Sequence, residues 1–104
     1  MMHEVVWGIR RELGDLARFV DAPPLHVVML AEARDALDAW LALLVTDDPV
    51  PESELNEAKD LALGHLSSLA YLVDFREAHD VAHWLQTLAR AGATVTGLPV
   101  GGSE

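Results

Sequence analysis

Residues 54–85 read ELNEAKDLALGHLSSLAYLVDFREAHDVAHWL, and the fold turns on whether this stretch is one helix or two. Leu55, Ala58, Ala62, Leu66, Leu69 and Val73 recur at steps of three and four, the spacing that lines one side of an α-helix. Continued by the same steps, that stripe lands on Arg76, Glu77 and Asp80, whereas the apolar residues that follow are Phe75, Ala78, Val81, Ala82, Leu85 and Leu88. The phase slips near Asp74. The slip predicts a helix near 52–73 and another near 75–91, the second stopped by Gly92. One bent helix over 52–91 is the alternative, because neither Gly nor Pro enforces the break.

Upstream of this stretch, TDDPVP at residues 46–51 sets two prolines and two aspartates between periodic segments and reads as a loop. Pro51 suits a first helical turn, and Glu52, Ser53 and Glu54 complement the positive end of the helix that follows. Before the loop, Leu30, Ala33, Leu37, Trp40, Leu41 and Leu44 predict a helix over 25–45, entered through Asp21 and Pro23-Pro24. Earlier still, Val5, Val6, Ile9, Leu13, Leu16, Ala17 and Val20 predict one over 4–20. No segment alternates with the period of a strand. The fold expected is therefore all-α: a small up-and-down bundle of three or four helices, with residues 1–92 as a single domain and 93–104 as a mobile or docked tail. Met29, Ala36 and Leu43 widen the stripe of the 25–45 helix. The faces around Leu37, Trp40 and Leu44 and around Leu66, Leu69 and Leu72 exceed what one small core needs, which predicts a homodimer.

Composition narrows the function. The chain of 104 residues contains no cysteine, which excludes disulfides, thiolate catalysis and thiolate zinc sites. Its N-terminus places arginines after a short apolar patch rather than before a long one, the wrong order for a secretory signal, so a cytoplasmic protein is expected. No uncharged apolar run approaches the roughly 18 residues of a membrane span. Of the net charge of −10, most falls in residues 21–60, and such a charge repels phosphate backbones. Direct contact with nucleic acid is disfavoured, while a basic protein partner stays open.

Within the quoted stretch, His79 and His83 stand one helical turn apart around Asp80, the spacing of two zinc ligands in an H-E-x-x-H motif. Asp80 is a methylene short of the usual glutamate base, and the only His or acid downstream of His83 is Glu104. With Leu85 at the buried centre of the last helix, His79, His83, Arg76 and Arg90 fall on its wet side, where the arginines repel a cation. A metalloprotease is rejected and no metal or other cofactor is expected. His3, His26 and His65 lack a local partner that would orient a general base, and Ser53, Ser67, Ser68 and Ser103 lack a nucleophile motif, so no catalytic residues are assigned and the protein is not expected to be an enzyme. The acids from Asp47 to Asp60 lack the spacing and turn glycine of a calcium loop.

The first helix carries the informative anomaly. With Ile9 at the centre of its buried stripe, Trp7 projects about 160° away, beside Arg11, Gly14 and Arg18. Exposed Trp and Arg are the residue types that dominate binding hot spots, so Trp7, Arg11 and Arg18 are the expected partner-binding residues, against the simpler reading that Trp7 folds back onto a neighbouring helix. Trp40 belongs to the core, and Trp84, about 100° from Leu85, suits core or partner equally.

The length, the acidic 21–60 segment, the DAPPLHVVMLAEARDALDAWLALL helix and the 54–85 stretch together resemble the small pseudomonad antiactivators of quorum-sensing regulators, over the whole chain. That resemblance implies an all-α homodimer without cofactor. It implies binding to the ligand-binding domain of a LuxR-type transcription factor such as LasR, so that the factor cannot dimerise and hold DNA. It carries no binding residues over to this chain. The alternative is a small helical secretion chaperone or assembly subunit that covers an amphipathic helix of its client; acidity and dimerisation fit it equally.

Overall fold

The computed structural model describes residues 2–19, 24–72 and 76–93, except the side chains of residues 17–19 and 24. Four helices make up this part of the chain: α1 (Met2–Phe19), α2 (Pro24–Val45), α3 (Glu52–Ala70) and α4 (Ala78–Arg90). The described residues include no strand. The small all-α bundle expected from the sequence is the fold observed.

Each helix packs against its neighbours in the chain, and α1 closes the ring against α4. Short connections force successive helices to run antiparallel. The side-chain pairings agree: Arg10 of α1 meets Asp38 of α2, and Glu12 of α1 meets Trp84 of α4. Val6, Ile9 and Leu13 from α1, Leu30, Ala33, Leu37 and Trp40 from α2, Ala62, Leu63, Leu66 and Leu69 from α3, and Val81, Trp84 and Leu88 from α4 form the buried centre.

The quoted stretch is two helices. α3 ends at Ala70, where the Tyr71 and Leu72 amides donate to the carbonyls of Ser67 and Leu69, and Tyr71 is exposed. α4 opens at Ala78, with the Asp80 and Val81 amides donating to the Glu77 carbonyl. Each of the two is thus shorter than expected by about one turn at the junction, and residues 73–75, where the phase slips, lie outside the described residues. Pro51 precedes α3 as its cap instead of occupying the first turn, and its carbonyl accepts from the Glu54 and Leu55 amides.

Gly92 stops α4 as expected, through a specific device. Its φ of 99° is in the left-handed region, where a Cβ is strained. The Gly92 amide donates to the Ala89 carbonyl and the Ala93 amide to that of Leu88, at 3.0 and 2.8 Å, the pair of bonds of a Schellman motif. Ala93, the first residue of the expected tail, is buried beside Leu88. Residues 94–104, most of the expected tail, lie outside the described residues.

Two assignments of faces need correction. Leu37, Trp40, Leu66 and Leu69 are at most 2 % exposed inside the single chain, so these four of the expected self-association residues have no surface to offer a second copy; Leu44 and Leu72 are half-buried against the same core. The reason is that α2 is flanked by both α1 and α3, and two neighbours cover a stripe that looks too wide for one. On α4 the buried centre is Val81, Trp84 and Leu88, with Leu85 half-buried, because the Trp84 indole N–H finds an acceptor on α1.

Candidate partner-binding site

α1 is positioned by Val6, Ile9 and Leu13, which sink into the core and fix its rotation. That rotation turns Trp7 outward, 53 % exposed, as the helical phase predicts. One turn further along, the Arg11 guanidinium lies 5.2 Å from the centre of the Trp7 ring, a cation–π stack that holds the indole upright on the helix. Arg11 is itself exposed. The Arg18 side chain lies outside the described residues, so the third member of the expected set has no placement here.

The indole stands between two shallow hollows. One, of about 510 Å³, is lined by His3, Glu4, Trp7, Leu41 and Val45, where the start of α1 meets the end of α2. The other, of about 260 Å³, is lined by Trp7, Arg10, Arg11, Asp38 and Leu41. In the second, Arg10 Nε donates to Asp38 Oδ1 at 2.7 Å and Nη2 to Oδ2 at 3.4 Å, a two-pronged pair across α1 and α2. The two side chains are 32 % and 48 % exposed, so the pair adds little stability. Its effect is on geometry: Arg10 is tied to Asp38, while Arg11 faces outward beside Trp7.

On the opposite flank of α1, the Trp84 Nε1–H donates to Glu12 Oε1 at 2.9 Å. Next to this bond is a groove of about 240 Å³ between α1 and α4, lined by Glu4, Val5, Gly8, Ile9, Glu12, His83, Trp84 and Thr87. Sequence reasoning missed this groove, since it is made by two segments about seventy residues apart in the chain. The only local signal was a glycine within an otherwise regular helical pattern.

The remaining residues singled out in the sequence are placed as follows. His79, His83 and Arg90 of α4 are exposed, as is Arg76 before it, and His83 borders the groove against α1 instead of facing away from the bundle. Among the described residues no group of three or more His, Asp or Glu is gathered in a way that could hold a metal ion. His65 is half-buried at the edge of α3, and His3 is half-buried at the mouth of the larger hollow. His26 is 4 % exposed in the first turn of α2, a burial its sequence neighbours did not signal. No buried side-chain nitrogen or oxygen among the described residues is left without a partner. Leu25, Val27 and Val28, around His26, are each more than half exposed.

These features define a class, a four-helix bundle with an aromatic–arginine pair and flanking hollows on its first helix. Comparison with protein-family models, curated proteins and solved structures finds no match to the chain.

Proposed function

We propose that the protein is an antiactivator that binds the ligand-binding domain of a LuxR-type quorum-sensing transcription factor such as LasR, blocks its dimerisation and so lowers its occupancy on DNA. The observation that carries this reading is the half-exposed Trp7, held by Arg11 above an apolar hollow on the surface of α1 and α2. A rigid indole with a guanidinium beside it is the combination that anchors protein interfaces, because the indole buries much area with few torsions to freeze and the guanidinium presents a planar fork of donors. The net charge of −10 disfavours contact with DNA itself, so release follows from occupying the regulator. The class of partner proposed rests on the resemblance of the sequence to small antiactivators.

We further propose that the protein acts in the cytoplasm as a homodimer. No helix is long and apolar enough to cross a membrane among the described residues. With Leu37, Trp40, Leu66 and Leu69 internal, the apolar surface that supports self-association is Leu25, Val27 and Val28 in the first turns of α2.

Titration of the purified protein into a regulator–promoter complex tests the function. The expected result is loss of the shifted DNA band together with capture of the regulator in a pull-down. Absence of both with every LuxR-type regulator tried, with co-purification of a secreted client instead, replaces this reading with that of a secretion chaperone.

A further inference from the structure

Gly8 lies inside α1, where a glycine lowers helix stability relative to alanine. A Cβ built on it meets nothing within 4 Å, so no group of this chain uses the space that the missing side chain leaves. Gly14 on the same helix differs: a Cβ there comes within 2.8 Å of Arg10 Nη1, so its space is taken. Gly8 is also the low point of a ridge. Trp7 and Arg11 rise on the α2 side, and the α1–α4 groove with Glu4 and Glu12 opens on the other.

Resting on the function proposed above, we infer that the partner contributes a helix that crosses α1 in close backbone contact over Gly8 and directs a basic side chain into the groove between α1 and α4. A groove between two helices receives a third by interlocking ridges, and helices approach closest where one presents a small residue. The groove supplies Val5, Ile9 and Trp84 as apolar wall, and Glu4 and Glu12 each lie four residues from Gly8, one on either side. It includes two carboxylates, of which Glu12 accepts from the Trp84 indole, with the His83 imidazole and no Lys or Arg, on a chain of net charge −10, so the complementary charge on the incoming helix is positive. A helix seated over Gly8 reaches the Trp7 hollow with its other flank, which joins the two sides of α1 into one interface.

The test uses the 104-residue chain and the ligand-binding domain of a LuxR-type regulator such as LasR as probe. Gly8→Gln fills the low point with a polar helix former, and Gly8→Ala does so minimally. Gly64→Gln is the control, for a Cβ at Gly64 inside α3 also meets nothing within 4 Å. All three variants are expected to melt at or above the temperature of the parent chain. Gly8→Gln is expected to weaken binding about tenfold or more and Gly8→Ala to weaken it less, while Gly64→Gln binds as the parent does. Glu4→Lys, which reverses a charge shared by the groove and the larger hollow, is expected to weaken binding with a smaller effect at high salt. Undiminished binding by Gly8→Gln, equal loss in Gly64→Gln, or a Gly8→Ala chain that no longer folds overturns the crossing at Gly8, and unchanged binding by Glu4→Lys overturns the basic side chain. A parent chain that binds no such regulator sinks the proposed function and this inference together; binding that survives Gly8→Gln sinks this inference alone.

Discussion

At the scale of single residues, the tryptophans of this chain differ in what the sequence could say of them. Trp40 is 2 % exposed in the middle of the α2 stripe, as its phase predicted, and Trp7 is 53 % exposed because its phase opposes Ile9. Trp84 was ambiguous at the margin of its stripe, and what decides it, the Glu12 carboxylate, is on another helix and invisible to local periodicity. Two outcomes follow. Trp7→Ala is expected to lower affinity for the regulator by roughly 2 kcal/mol or more, the scale of a buried hot spot. Its unfolding free energy should stay within about 0.5 kcal/mol of the parent's, as for a surface substitution. Urea denaturation beside a binding titration separates these, and a large loss of stability returns Trp7 to the core. Trp84→Phe keeps the ring but loses the donor to Glu12, and is expected to cost about 1 kcal/mol in urea denaturation. A cost near zero would mean that the bond does not help hold α1 to α4.

At the scale of elements, the existence and type of all four helices were legible, since each shows apolar residues at the helical period over three turns or more. Their ends were less so. The α3 stripe runs on to Val73 in the sequence, yet the helix stops at Ala70, because periodicity marks a face and carries no information on where the carbonyl ladder ends. The C-terminus of α4 was readable because glycine is the residue that a left-handed C-cap requires, and Gly92 has φ 99°. Gly92→Ala is accordingly expected to destabilise the fold by about 1–2 kcal/mol. Gly64→Ala in the open interior of α3 is expected to stabilise it by up to about 1 kcal/mol, so thermal melting of the pair gives opposite signs. Equal signs would refute the C-cap reading. The candidate site falls between these cases: the Trp7–Arg11 pair was legible as a face of one helix, whereas the hollows and the groove needed the neighbours α2 and α4.

At the scale of the whole molecule, the sequence revealed an excess of apolar helix face but not its destination. Leu37, Trp40, Leu66 and Leu69 turn inward because α2 has two neighbours, which leaves Leu25, Val27 and Val28 as the exposed apolar residues of its first turns. If those residues join two copies, light scattering at micromolar concentration gives the mass of a dimer, and Val28→Glu gives that of a monomer. A monomer mass for the parent chain rejects the homodimer. The ring of helices has one further consequence. Its seams are unequal: α2 packs most extensively against α3, and α1 touches α4 least, with Trp84–Glu12 as a hydrogen bond across that closing seam. Local opening begins where the fewest packed groups must separate. Amide protons of α4, which packs less extensively against its two neighbours than α1 does, should therefore exchange with deuterated solvent through a partial opening that leaves the α2–α3 hairpin protected. A regulator bound along α1 would clamp this seam, so complex formation should slow exchange in α4 as well as in α1, including at amides the partner does not cover.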